Sequence, residues 1–149
     1  MTATAPRIIA IDHDDYHAEY VGRLTDGRQF FLTSPFDPAR AGHPGCEFVA
    51  LYLFDSSGAL LEAIIDSCGP REALDTDARV ALRDQRLRDL GAVSFERISV
   101  APFVVERFGL SFGLVLRTPE EEDEEWAVEV QPGNYMAFFE PWDSGDYDT

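Results

Sequence analysis

Apolar residues occur in short runs separated by turn-forming residues, a pattern typical of β-strands. Residues 47–54 and 59–66 flank the turn sequence Asp55-Ser56-Ser57-Gly58 and predict a central hairpin. Asp26-Gly27 predicts a second hairpin. Further strands are expected at residues 7–12, 93–100, 103–108, 112–117, 126–130 and 135–139. The predicted core residues are Val49, Leu51, Leu53, Leu61, Ala63 and Ile65, with Phe30, Phe112, Leu114, Trp126 and Val128 on adjoining strands.

One segment, residues 71–90, has the composition of a helix: it contains no Gly or Pro, is rich in helix formers and is followed by Gly91. One helix and about eight or nine strands, without repeated βαβ order, predict an α+β fold. We expect a mainly antiparallel curved sheet or open barrel packed against this helix, with a two-sheet sandwich as the alternative. Residues 1–149 should form a single domain, with an acidic loop at 120–125 and an extended tail at 140–149.

Acidic residues strongly outnumber basic ones: 28 Asp and Glu against 12 basic residues give a formal net charge of −16. This charge repels phosphate backbones, so we expect no nucleic-acid ligand. The same field favours a basic protein partner. Because every basic residue is Arg, functions that need a lysine, such as a P-loop or a Schiff base, are excluded.

The chain has none of the segments that direct a protein to a membrane. No apolar stretch reaches the roughly 18 residues needed to cross a bilayer, and residues 1–7 lack the pattern of a signal peptide. Two cysteines are too few for a disulfide framework. We therefore expect a cytoplasmic protein that does not bind membranes.

Three arginines of the predicted helix, Arg79, Arg83 and Arg86, are spaced so that they lie along one helical face. In so acidic a chain this stripe is a local reversal of charge. It could bind an anionic ligand or the acidic loop of another molecule. The simpler interpretation is that these arginines pair with aspartates of the same helix.

Two acidic segments offer further binding candidates. Residues 120–125 are six consecutive carboxylates, which form either a solvated loop or a docking site for a cation or basic partner. Trp142 and Tyr147 lie in the acidic tail. Such aromatic side chains can anchor the tail on its own domain or in the groove of a partner.

Cys46 and Cys68 lie at the open ends of the central hairpin. If Asp55 pairs with Ala59 and this register continues without a bulge, Val49 lies opposite Ile65 and Cys46 lies opposite Cys68. The two thiols could then form a reversible disulfide.

His43 precedes Cys46 by three residues, so a zinc site of His43, Cys46, Cys68 and Asp66 is a sharper alternative. The simpler alternative is that both cysteines are ordinary unpaired thiols. His13 and His17 would share a face only in a helix, whereas their surroundings predict strand and loop. We therefore predict no metal site and no cofactor.

No catalytic motif is recognisable: G-x-S-x-G and G-x-G-x-x-G are both absent. The sequence favours a non-catalytic protein-binding module of the inhibitor, immunity or adaptor type over an enzyme. Two alternatives stay open. One is a small metal-dependent enzyme that uses Asp12, His13, His17 or the pair His43 and Cys46. The other is a small-ligand carrier with an aromatic-lined cavity.

Overall fold

The computed structural model describes residues 5–149. All pairings between its twelve strands are antiparallel. The strands are β1 (Ile9–Ile11), β2 (Val21–Leu24), β3 (Gln29–Thr33), β4 (Phe36–Asp37), β5 (Cys46–Phe54), β6 (Leu60–Gly69), β7 (Val93–Phe95), β8 (Ile98–Val100), β9 (Phe103–Arg107), β10 (Leu110–Arg117), β11 (Ala127–Gln131) and β12 (Ala137–Phe138). A short 3-10 helix (Arg71–Ala73) and the helix α1 (Thr76–Asp89) connect β6 to β7.

The largest sheet has six strands and is organised around β5. On one side β5 pairs with β6. On the other it pairs with β3 and then with β4, in one unbroken register that sets Gln29 opposite Phe54 and Asp37 opposite Cys46. Thus β3 and β4 act as one strand interrupted at residues 34–35. The Asp26-Gly27 hairpin joins β2 to β3 as predicted, and β7 pairs with β2.

A second sheet of four strands, in the order β12-β11-β10-β9, packs against one face of the first, together with the separate pair β1-β8. Buried side chains from all three sheets form this inter-sheet core, including Phe31, Tyr52, Leu114, Val128 and Ile98. The α+β class is confirmed. Within residues 5–149 the sheets do not close into a barrel, and the arrangement agrees with the two-sheet alternative.

The helix α1 covers the opposite face of the six-stranded sheet. Leu82, Leu87 and Leu90 pack there on the helix-side core, which consists of Leu24, Phe30, Leu32, Val49, Leu51 and Leu53. The helix begins after Asp75, whose carboxylate accepts a hydrogen bond from the Ala78 N–H (3.0 Å), and it is followed by Gly91 at φ +77°. No helix in residues 5–149 is long and apolar enough to span a membrane.

The central hairpin has the predicted turn but not the predicted register. Asp55 and Ala59 are joined by a backbone hydrogen bond of 2.9 Å, and Gly58 has φ +98°. The register then shifts twice, so that Leu61 and Cys68 are extra, unpaired residues of β6. The uniform register is therefore wrong: Val49 lies opposite Asp66, not Ile65.

Two other predictions are corrected. Leu61 was expected in the core but is 55% exposed, because it is the bulged residue beside the turn. Residues 93–100 were expected to form one strand but form β7 and β8, which belong to different sheets. Short strands such as β4 also raise the strand number above the eight or nine expected.

The hairpin provides a matched test of the core. Replacing Leu51, which is 2% exposed, with Ala should lower the free energy of unfolding by about 2 to 5 kcal/mol. The same replacement of Leu61 should cost less than about 1 kcal/mol because its side chain lies in solvent. Chemical denaturation of both variants measures the difference; equal losses would contradict this packing.

Candidate functional site

A cleft of about 340 Å³ opens between α1, the 3-10 helix and the loop that follows β1. Three arginines line it: Arg71, Arg79 and Arg83. Its other charged side chains are Glu19 and Glu47. Five rings complete most of the wall, and they belong to Tyr16, His17, Tyr20, Phe36 and Tyr135. We call this site the arginine cleft.

The carboxylate of Glu47 forms the inner end of the cleft. Glu47 is only 9% exposed, because it lies on β5 directly beneath the helical layer. Its oxygens lie 3.5 Å from Arg79 Nη1 and 3.8 Å from Arg71 Nε. Because a buried carboxylate without a cation is strongly destabilising, Glu47 draws both guanidinium groups toward the sheet.

Aromatic rings hold two of the arginines by their faces. The Arg71 guanidinium carbon lies 4.7 Å from the centre of the Phe36 ring, and that of Arg83 lies 5.0 Å from the centre of the Tyr20 ring. Stacking of this kind fixes the plane of a guanidinium while its N–H edge can still donate hydrogen bonds, as that of Arg83 does to Asp84. The Phe36 ring packs closely on Gly133, where a Cβ atom would come within 2.8 Å of the ring.

Tyr135 and His17 form an aromatic, uncharged part of the cleft wall. The Tyr135 hydroxyl is hydrogen-bonded to Thr33 Oγ1, and burial raises the pKa of Tyr135, so that it stays protonated. The His17 ring meets the Tyr135 ring at 5.1 Å. Burial lowers the pKa of His17 although Asp14 acts in the opposite direction, and the imidazole is therefore neutral at pH 7.

The C-terminal tail holds the loop that carries Tyr16 and His17. The Tyr147 hydroxyl donates to Asp14 Oδ2 (2.5 Å) and accepts from the His17 N–H (3.0 Å). Asp14 Oδ1 also accepts from the N–H groups of Tyr16 (2.8 Å) and Ala18 (3.1 Å). One side of the cleft thus depends on a residue more than a hundred positions away in sequence.

The predicted arginine stripe is divided by the structure. Arg79 and Arg83 line the arginine cleft, whereas Arg86 lies outside it and donates two hydrogen bonds of 3.0 Å to Asp66. Arg83 also contacts Asp84 at 3.2 Å. Sequence reasoning missed Arg71, which precedes the helix, and Glu47, whose charge beside an apolar run was the available signal.

The two tail aromatics contact their own domain. Trp142 and Tyr147 are partly buried against the inter-sheet core. The backbone continues this attachment, since the Ala10 N–H donates to the Trp142 carbonyl (2.8 Å) and the Asp12 N–H donates to the Gly145 carbonyl (3.1 Å). The acidic run 120–125, in contrast, lies exposed in the loop between β10 and β11.

The cysteines do not face each other. The second register shift makes Cys68 the unpaired residue, and its side chain packs on the helix-side core. Cys46 shares the other face of β5 with Phe48, and its Sγ lies 3.4 Å from Ser67 Oγ. Both thiols are free, and burial raises the pKa of Cys68. The pairing expected from a uniform register is therefore wrong.

The residues considered for metal binding do not come together in one site. His43 Nδ1 accepts from the Gly45 N–H (3.0 Å) and Nε2 lies 3.5 Å from Asp37, while Asp66 is bound by Arg86. His13 stacks on Phe95, away from His17. In the part of the chain that the structure describes, no group of three or more His, Cys, Asp or Glu side chains could hold a metal ion.

The arrangement in the arginine cleft suits recognition of an anion beside an apolar ring. Its charged donors converge from the 3-10 helix and α1, and its rings come from the loop after β1, from β4 and from the segment before β12. Comparisons with protein-family models, curated proteins and solved structures find no match to this chain.

The link between tail and cleft can be tested at Asp14. Burial alone would raise the pKa of Asp14, but hydrogen bonds from Tyr147 and from two backbone N–H groups outweigh it and lower the pKa. Tyr147→Phe removes one of these donors, so the Asp14 pKa should rise toward its ordinary value of about 4. Carboxyl-carbon NMR titration measures it.

A lowered Asp pKa stabilises the fold at neutral pH, and the contribution disappears as the pH falls through the folded-state pKa. Tyr147→Phe should therefore destabilise the protein more at pH 7 than at an acidic pH below the pKa of Asp14 in both the folded and the unfolded state. The control is Tyr16→Phe, because the Tyr16 side chain is 65% exposed. An unchanged Asp14 pKa in Tyr147→Phe would show that the hydroxyl does not act on this carboxylate.

Proposed function

We propose that the protein is a non-catalytic binding module whose arginine cleft receives the anionic group of a small ligand. The observation that supports this most is the convergence of Arg71, Arg79 and Arg83 in one cleft of a chain with a net charge of −16. Glu47, the buried carboxylate among them, lies at long ion-pair distances from two of the three. Arg83 Nε and Nη2 donate to Asp84, so its Nη1 and the donors of Arg71 and Arg79 are the groups available to a ligand.

The other polar groups of the cleft favour binding over catalysis. The Tyr135 hydroxyl is hydrogen-bonded to Thr33, and burial keeps its proton in place by raising its pKa. His17 contacts rings, and the hydrogen bonds found in residues 5–149 do not join its imidazole to a nucleophile. A cleft of this size and composition resembles small-molecule binding sites in general, which combine apolar walls with a few placed charges.

Arginine replacement on α1 tests this function. The probes are acetate, benzoate, phosphate and sulfate, titrated by calorimetry into the full chain at fixed ionic strength. A charge-assisted hydrogen bond contributes about 1.5 to 3 kcal/mol, so Arg83→Ala should weaken the tightest of these anions about tenfold or more. Arg88→Ala, an exposed arginine of α1 outside the cleft, should leave affinity unchanged.

Two results would contradict this function. One is the absence of binding by all four anions to the unmodified protein. The other is an equal loss of affinity in Arg83→Ala and Arg88→Ala, which would show that the anions respond to general charge and not to the cleft. Thermal unfolding of both variants confirms that they are folded.

The second candidate function is recognition of a basic protein partner by the acidic surface. It is favoured by the six exposed carboxylates of residues 120–125, which project from the loop between β10 and β11. We also propose a cytoplasmic location, because the free thiols Cys46 and Cys68 suit a reducing compartment.

A charge-matched pair of variants tests the basic-partner function. Glu→Gln replacement at Glu120, Glu121 and Glu122 should change the free energy of unfolding by no more than about 0.5 kcal/mol and weaken binding of a hexa-arginine peptide. The control replaces three exposed glutamates elsewhere, Glu62, Glu72 and Glu140, which removes the same net charge. Equal weakening by both variants would refute a specific role for the loop.

A further inference from the structure

The charged side chains of the arginine cleft limit the charge of its ligand. Three guanidinium groups line it beside the carboxylates of Glu19 and Glu47, and Asp84 pairs with Arg83 at 3.2 Å. These charges balance, so the cleft has no formal surplus of positive charge. His17 adds none, because burial lowers its pKa and keeps it neutral at pH 7. A ligand with one negative charge therefore suits the cleft better than a ligand with two.

The acidity of the rest of the chain acts in the same direction. The field of a net charge of −16 opposes each negative charge that approaches, so a dianion pays this repulsion twice. The cleft holds no surplus of positive charge to offset this repulsion, because Glu19, Glu47 and Asp84 balance its three arginines. A carboxylate matches the site better than a doubly charged phosphate, and its two oxygens fit the planar N–H fork of an arginine.

The aromatic wall defines the rest of the ligand. The ring of Tyr135 lies 5.1 Å from that of His17 and 5.9 Å from that of Phe36, so the three rings form one aromatic cluster in the wall of the cleft. Rings of this kind bind the face or edge of another ring. An inorganic anion would leave this surface in contact with water, whereas an aromatic ligand covers it.

The volume of the cleft sets the size. About 340 Å³ lies at the lower end of the range for small-molecule sites. A ligand of one ring system with its acidic group suits a cleft of this size.

We propose that the ligand is a compact aromatic monocarboxylate, with its carboxylate on Arg79 and Arg83 and its ring against His17, Phe36 and Tyr135. This inference rests on the proposed function and narrows it to one chemical class. The carboxylate end lies toward α1 and the ring end toward the aromatic wall, so the two ends of the ligand are recognised by different sets of residues.

The selectivity of the unmodified full chain is the first test. Calorimetry at pH 7 compares benzoate with acetate, which lacks the ring, with benzamide, which lacks the charge, and with phthalate and phosphate, which can carry a second charge. Benzoate should bind about tenfold or more tightly than each of the other four. Because this comparison needs no mutation, it does not depend on the folding of a variant.

Two variants then separate the ends of the ligand. Arg83→Ala should weaken benzoate and acetate about equally, by about tenfold or more, because it acts on the carboxylate. Phe36→Leu should weaken benzoate more than acetate and so reduce the preference for benzoate, because it removes a ring that is proposed to contact the ligand. If Phe36→Leu does not fold, His17→Leu replaces it, since the His17 ring is also proposed to contact the ligand and its side chain is only partly buried.

Each of the other outcomes would contradict a specific part of the proposal. If phosphate or phthalate binds more tightly than benzoate and depends on Arg83, this ligand class is wrong while the anion-binding function stands. If benzamide equals benzoate, the carboxylate is not recognised and the inference fails. If benzoate binding survives Arg83→Ala, it occurs elsewhere. If none of the anions binds, both the inference and the function fail.

Discussion

Burial of both faces of β5 is the constraint on which the rest of the structure depends. Residues 47–54 of this strand are all buried, so each face must be covered by a separate layer. The four-stranded sheet covers one face and α1 covers the other. Glu47 is the one charged member of this buried run. Its carboxylate needs cations, and this requirement explains why arginines of the helical layer point toward the sheet instead of into solvent.

The pairing with Glu47 accounts for Arg71 and Arg79 but not for Arg83. Arg83 is fixed by the Tyr20 ring and by its sequence neighbour Asp84, neither of which requires it to line a cleft. If the arginines served only to neutralise Glu47, two would suffice. Arg83 instead adds a further guanidinium group to a cleft that Arg71 and Arg79 already line, although the chain has a net charge of −16.

Sequence reasoning could predict the features that local chemistry fixes. The turn at Gly58, the hairpin at Gly27 and the helix before Gly91 each follow from residues within a few positions. The bulges at Leu61 and Cys68 could not be predicted. Each adds one unpaired residue to β6, and the apolar pattern of the hairpin does not show where that residue lies. The cleft shows the same division between local and tertiary features. Helical spacing identifies Arg79 and Arg83, whereas Arg71, Glu47 and Tyr135 come beside them only through tertiary packing.

The C-terminal tail is the part of the site that lies farthest in sequence from the loop that it contacts. Asp14 is the acceptor that joins the Tyr147 hydroxyl to the backbone of the loop bearing Tyr16 and His17. A hydrogen bond to a carboxylate is stronger than one between neutral groups, so this junction attaches the loop firmly to the tail. The same tail is held to β1 through the Trp142 and Gly145 carbonyls. The arginines are held separately, Arg71 and Arg79 by Glu47 and Arg83 by Tyr20 and Asp84, so the loop and the arginines of the cleft depend on different parts of the chain.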